Sequence, residues 1–320
     1  MKRLIKVLEK ITLKLDGFLF KEISVSDNVI YFFTFHSIHK KKDEKFLSMY
    51  MDPNSSILDS DFILLINELK KLKFDFIGED SLKNLSKISK KNICITFDDG
   101  YYNNMLLIEI TEKLSIPVII FTSSYFIEKN QLFWWDIFYS KRISDFNFLK
   151  KYKTSFELID LSQNLFDTKM YSDLNKPLSI LNLKELSLCK YISIGNHTHH
   201  HVIDNSINSN FFINDFILCQ NKLKKWLGKE PTSFAFPNGE TIFKKNTLLD
   251  IKNHGIENIF IVRPKPFKIN FMNKNYYPRF MVNNRSSKFI NHYNSILKNR
   301  FYCSFLDFKY QVKNIRWKRT

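Results

Sequence analysis

The sequence predicts an α/β fold of parallel strands joined by helical crossovers, and three observations carry that expectation. Short apolar runs rich in β-branched and aromatic residues, at 29–35, 93–97 and 116–122, read as strands buried on both faces. Segments with apolar residues at helical spacing alternate with them, and strand-helix-strand alternation is what parallel connections require. Two strand runs also stop abruptly at ionisable clusters, Asp98-Asp99-Gly100 and His197-Thr198-His199-His200-His201. Strand ends of this kind are where α/β folds gather their chemistry.

Taken in order, residues 1–24 read as a basic amphipathic helix, with Leu4, Ile5, Leu8, Ile11, Leu15 and Phe18 at helical spacing, within an N-terminal segment 1–27. A buried first strand at 29–35 ends at His36. Helix 61–72 places Phe62, Leu65, Ile66 and Leu69 on one side, and a short strand follows at 74–77. After the strand at 93–97, the Asp-Asp-Gly turn leads into a helix at 104–114 and the next strand at 116–122. Residues 130–185 break the rhythm and are expected to form a mostly helical insertion near the cleft, with Trp134 and Trp135 packed in a core. Beyond the histidines, helix 210–227 ends at Gly228, and strand 233–236 runs into Pro237-Asn238-Gly239. Helix 241–252, strand 258–262 and strand 276–282, which carries Arg279, complete the pattern. A last amphipathic helix at 289–297 precedes a basic tail, so 286–320 reads as a C-terminal addition.

At 320 residues and 38.3 kDa the chain is long enough for one large domain with additions, and no internal repeat or long linker divides it. The net charge of +17 suits an anionic partner such as a phospholipid surface or a pyrophosphate-linked sugar. The lysines are dispersed and no nucleic-acid module accompanies them, so nucleic acid is not the expected partner. Cys94, Cys189, Cys219 and Cys303 lack CxxC spacing and read as reduced thiols. Lys6, Glu9, Lys10, Lys14 and Asp16 interrupt what would be the apolar core of a signal peptide, and no uncharged run reaches the ~18–20 residues that span a bilayer. The expected location is therefore cytoplasmic, with peripheral membrane contact through the basic surface.

The chemistry sits in the two ionisable clusters. His197 and His201 are four residues apart, close enough in a turn or tight loop for both imidazoles to reach one ion, and a carboxylate from the acidic pair would complete a two-histidine, one-carboxylate set. Such a set leaves a metal position open for water, the mark of a hydrolytic centre as opposed to a closed structural one.

Thr96-Phe97-Asp98-Asp99-Gly100, His197-Thr198-x-x-His201 and Phe236-Pro237-Asn238-Gly239 resemble, in composition and order, the motifs of polysaccharide deacetylases with the NodB homology domain. The resemblance spans about residues 28–285. It implies a distorted or partial (β/α) barrel of about seven strands, with the motifs meeting at the C-terminal strand ends, and a metal-dependent hydrolase that removes N-acetyl or related acyl groups from sugars. By position, it makes Asp98 the general base and Asp99, His197 and His201 the metal ligands. Asn238, after Pro237, becomes the donor of an oxyanion-holding N–H. His199 and His200 match no ligand position and are expected to act from the loop around the site.

The departures are specific. Where many members have an arginine that orients the catalytic aspartate, this chain has Phe234-Ala235-Phe236, and the aspartate-tryptophan and late leucine-histidine motifs are missing. Arg279 is the expected substitute cation and His36 the expected acid. Zinc suits two imidazoles and a carboxylate, with Co, Ni or Fe as alternatives. Without an export signal, the expected substrate is an acetylated precursor on a nucleotide or lipid-pyrophosphate carrier in bacterial surface-polysaccharide synthesis. The alternatives are a deformylase of a formamido sugar and, from another class, a carbohydrate-binding homologue that has lost turnover.

Overall fold

A computed structural model of the chain describes residues 28–51, 56–89, 91–143, 155–202, 209–239, 245–269 and 276–282. The helices expected at 1–24 and 289–297, the basic tail and Cys303 lie outside these residues. The strands are β1 (Val29–Phe35), β2 (Ser37–His39), β3 (Ser56–Leu58), β4 (Asp75–Phe76), β5 (Lys91–Phe97), β6 (Val118–Thr122), β7 (Ile192–Asn196), β8 (Ser233–Ala235), β9 (Asn258–Val262), β10 (Phe267–Lys268) and β11 (Tyr277–Met281).

Seven of them close on themselves in the order β1-β11-β9-β8-β7-β6-β5, with β5 returning to pair with β1, and every pairing in the ring is parallel. The expected (β/α) barrel is thus complete as a ring, although β7 and β8 share a single register pair, Asn196 with Phe234. β4 extends the sheet beside β5 and β10 lies antiparallel against β1. β2 and β3 form a separate two-stranded parallel ribbon beyond the C-terminal end of β1.

The strands read as unbroken apolar runs because both faces are covered. Period-two alternation then sorts the residues. Phe33, Phe35, Ile93, Ile95, Phe97, Val118 and Ile120 face the outer helices, whereas Ile30, Phe32, Cys94, Ile119, Phe121, Ala235 and Phe260 pack together in the interior. Each fully buried side chain of this size contributes roughly 1.5–3 kcal/mol. Thr34, Thr96 and Asp98 fall in phase with the interior set, so the first acid of the pair, one residue past the end of β5, continues the inward face.

The outer helices follow their sequence patterns. Asp59–Lys71 buries Phe62, Leu65, Ile66 and Leu69, the expected stripe, and carries acids in its first turn and lysines in its last, as the helix dipole favours. The expected helix at 104–114 begins as a tight 3-10 turn, Tyr102–Met105, before the α-helix Leu106–Leu114. Between β6 and β7 lie helices Ser124–Lys129, Trp134–Ser140, Ser155–Leu165 and Ile180–Leu188. The first three help enclose a second aromatic cluster around Phe126, Phe133, Trp134 and Phe138, whereas Leu183 and Leu186 of the fourth pack on the main core. Cys94, Cys189 and Cys219 are free and buried, matching the expected thiols. No helix among the described residues is long and apolar enough to cross a membrane.

Candidate functional site

The acid pair occupies the turn leaving β5. The Asp98 backbone N–H donates to the Phe35 carbonyl at 2.8 Å, tying this turn to the end of β1, and the Gly100 N–H closes on the Asp98 carbonyl at 3.0 Å. Gly100 takes φ +87°, and a Cβ there would come within 2.9 Å of the Thr122 side chain, so glycine alone fits between the two strand ends. Asp99 itself is left-handed at φ 75°, a strained setting for a residue with a side chain.

The histidine loop leaves β7 next door. The His197 N–H donates to the Thr122 carbonyl and the Ser123 hydroxyl to the His197 carbonyl, both at 3.1 Å, so the ends of β6 and β7 are stitched together. Thr198 (φ 63°) and His201 (φ 55°) are also left-handed, which folds the run into a tight loop and brings its two outer histidines to the same side. His197 Nε2 and His201 Nε2 lie 3.6 and 3.4 Å from Asp99 Oδ1, and all three residues are buried. Ligand atoms of Asp99, His197 and His201 fall within 4.8 Å of one another, the one such group among the described residues.

The donor set fits a cation. His197 Nδ1 is 2.8 Å from the Ala235 carbonyl, which can only accept, so the proton sits on Nδ1 and the Nε2 lone pair faces Asp99. Burial pushes His197 down to about 4, keeping the ring neutral. Burial alone would push the Asp99 carboxyl up, but the His201 hydrogen bond, first among the opposing effects, holds it below the ordinary range. A neutral imidazole and an ionised carboxylate, lone pairs facing, are what a divalent ion requires.

Asp98 is held differently. Arg279 reaches inward from β11 and donates from both terminal nitrogens, Nη1 to Oδ1 at 2.7 Å and Nη2 to Oδ2 at 2.8 Å. Nη1 also donates to Thr34 and Thr96 hydroxyls at 3.1 and 3.0 Å, and the guanidinium lies 5.3 Å from the Phe121 ring centroid. Arg279 is fully buried, so this is an ion pair inside the barrel. Burial raises the Asp98 carboxyl, but the charge and hydrogen bonds of the Arg279 guanidinium outweigh it and leave it at about 2.

His36 lies just after β1, near enough for its charge to bear on both aspartates, and its buried Nδ1 has no hydrogen-bond partner. Pro237 and Asn238 follow β8 after Phe236, two and three residues from the Ala235 carbonyl that holds His197. Asn238 is left-handed at φ 55°, so each of the three motifs carries a strained non-glycine residue.

Sequence reasoning missed three participants. Trp135 is half-buried, with its ring 4.5 Å from that of His201. Its Nε1 donates to the Tyr101 hydroxyl at 2.8 Å, which donates to Asp136 at 2.9 Å. Trp134 meets the expectation of core packing; Trp135 packs against it and also walls the site. Thr34 and Thr96 were hidden in strand runs, where only their common inward phase marks them.

Residues 86–259 match the family described as polysaccharide deacetylase. Among solved structures, IcaB from Ammonifex degensii aligns with a TM-score of 0.60 at 14% identity, covering 86% of this chain and 100% of its own. The Streptococcus pyogenes deacetylase PplD in complex with acetate aligns with a TM-score of 0.58 at 14% identity, with the same coverage. A de-N-acetylase from Aggregatibacter actinomycetemcomitans gives 0.57 at 15% identity, covering 83% of this chain and 99% of that one. At such identities the likeness concerns the fold. No curated protein matches the sequence.

Proposed function

The chain belongs to the polysaccharide deacetylase family, and from that premise we propose that it is a divalent-metal-dependent hydrolase that removes the N-acetyl group of a sugar. The observation that carries the reading is the pairing of two carboxylates with different partners: Asp99 faces two imidazoles, while Asp98 is gripped by Arg279. One acid is set up to hold a cation and its neighbour to stay ionised and oriented.

Asp99, His197 and His201 would hold the ion, zinc suiting the ligands best. Bound there, it would supply Lewis-acid polarisation and an acidified water. Asp98 then takes the proton of the attacking water, its plane fixed by the bidentate guanidinium so that its remaining lone pairs stay available. The Asn238 N–H donates to the oxyanion that develops as the carbonyl carbon becomes tetrahedral. His36 delivers a proton to the leaving nitrogen, the C–N bond breaks, and acetate and amine separate. The acyl carbon keeps the hydroxyl of the water and the leaving nitrogen gains a proton, as hydrolysis requires.

The proposed substrate is an acetylated sugar on a nucleotide or lipid-pyrophosphate carrier. The net charge of +17 supports an anionic carrier, by steering it to the surface. The test is acetate release from N-acetylated oligosaccharides and carrier-linked sugars by the zinc-loaded protein. Asp98→Asn should keep its zinc and lose ~10²–10⁴ in rate. Zinc-bound wild-type protein that binds these sugars without releasing acetate would defeat the hydrolase reading.

A further inference from the structure

The run His197 to His201 divides its work. The outer histidines face Asp99, and the two between them point to other partners. His200 donates its backbone N–H to Asp215 Oδ2 at 2.9 Å, and its Nδ1 lies 2.6 Å from Asp215 Oδ1. The His199 N–H donates to the Asp215 carbonyl at 3.2 Å, so one residue of helix Ser209–Leu227 takes three hydrogen bonds from this pair. From the other side, Ser124 Oγ meets His199 Nδ1 at 2.7 Å and the Tyr125 N–H donates to the His199 carbonyl at 2.9 Å. Asp215 and Ser124 are both buried, 4% and 0% exposed, which rules out a solvated surface pairing and leaves no room for substrate at Ser124.

The loop needs such a grip. Two of its residues, Thr198 and His201, are left-handed without being glycine, and the first is β-branched, where that conformation is a genuine outlier. Strain of this kind persists only when surrounding contacts over-determine it. Below Thr198, Asn196 Oδ1 accepts the Thr198 N–H at 2.8 Å, while Thr198 Oγ1 accepts the Val202 N–H at 2.9 Å. Those two bonds shape the loop locally. Its attachment to the rest of the protein through its centre comes from Asp215 on one flank and Ser124 and Tyr125 on the other.

We propose that Asp215, seconded by Ser124, is a positioning residue for metal binding: it clamps the middle of the histidine loop so that His197 and His201 converge on Asp99. The inference rests on the metal-site reading above and adds to it a carboxylate that touches neither the ion nor the substrate.

The test is zinc affinity by competition with a chromophoric chelator, alongside thermal unfolding of the metal-free full-length protein, for wild type, Asp215→Ala, Ser124→Ala and His201→Ala. Loss of a group hydrogen-bonded directly to a ligating histidine typically weakens metal binding about 10–100-fold, and Asp215, which grips the residues between the ligands, should be felt toward the lower end of that range. Asp215→Ala should fall in that range and Ser124→Ala somewhat less, and cobalt-substituted Asp215→Ala should show an altered visible spectrum, since the ligand geometry changes. If Asp215→Ala does not fold, Asp215→Asn decides, because its carbonyl oxygen still accepts the His200 N–H; several-fold weaker binding supports the clamp. Wild-type affinity in either folded variant, even with a lowered melting temperature, overturns the clamp while leaving the metal site standing. Absence of zinc binding by wild type, or undiminished binding by His201→Ala, overturns the metal site and the clamp with it.

Discussion

Arg279 shows how much one side chain can decide. Its guanidinium spans both oxygens of Asp98 and two threonine hydroxyls while fully buried, so it acts as a structural strut and an electrostatic setting at once. The carboxyl, at about 2 in the folded protein against an ordinary 3.8, contributes stability that is fully present above 3.8 and lost as pH falls through 2. Removing the cation leaves a buried carboxylate uncompensated, a loss of about 3–5 kcal/mol for pairs of this type. Arg279→Lys keeps the charge but cannot hold the carboxylate plane, so kcat should fall further than stability does. Arg279→Gln should in addition move the acid limb of kcat/KM to higher pH, because Asp98 becomes easier to protonate. Chemical denaturation and pH-rate profiles on the same preparations separate these effects. An unmoved acid limb would show that Asp98 is not the group the limb reports.

Among the elements, β7 is closely constrained. It delivers the histidine loop, yet it is joined to β8 through a single register pair. Gly195 lies at this seam, where a Cβ would come within 2.5 Å of the Phe121 ring and 2.9 Å of the Ser233 carbonyl. The glycine is there to let strands and an interior ring approach one another, and its backbone conformation asks for nothing special. Gly195→Ala should therefore overpack the barrel by about 1–3 kcal/mol, read as a lower melting temperature. It should weaken zinc binding too, since His197 is two residues on and the Phe121 ring that must give way lies 6.5 Å from its imidazole. Unchanged stability would mean that β7 and β8 are free to separate at this point.

For the molecule as a whole, the site draws its groups from the ends of β1, β5, β7, β8 and β11, and a bound ion would tie the turn after β5 to the loop after β7 across β6. Ligand that binds only the folded state stabilises it by about 2.7 kcal/mol at a hundred times its dissociation constant, which for a domain of this size corresponds to roughly 4–5 °C. Zinc at that level should raise the melting temperature by this amount, a chelator should reverse it, and His201→Ala should abolish it. Differential scanning calorimetry with and without chelator is the direct measurement. A wild-type melting temperature indifferent to both would count against an ion at this site.

Much of this was legible in the residues. Strand runs such as 29–35 and 258–262, and the stripe on Asp59–Lys71, are local patterns of period two and 3.6, and burial on one or both faces imposes them whatever the partner. The acid pair and the spaced histidines announced themselves for the same reason, since the groups concerned are neighbours in sequence. The tertiary structure decided what depends on residues far apart. Arg279 meets Asp98 across 181 positions only because the ring closes between β11, β1 and β5. Trp135 arrives at His201 from the segment between β6 and β7, and Asp215 was one polar position in a helix until that helix was laid against the histidine loop. Sequence records which residues have a face to bury and where the chain must turn, because those demands are local. Which buried polar groups satisfy one another is settled by closure of the barrel, since each must find its partner among whatever the fold brings within about 3 Å.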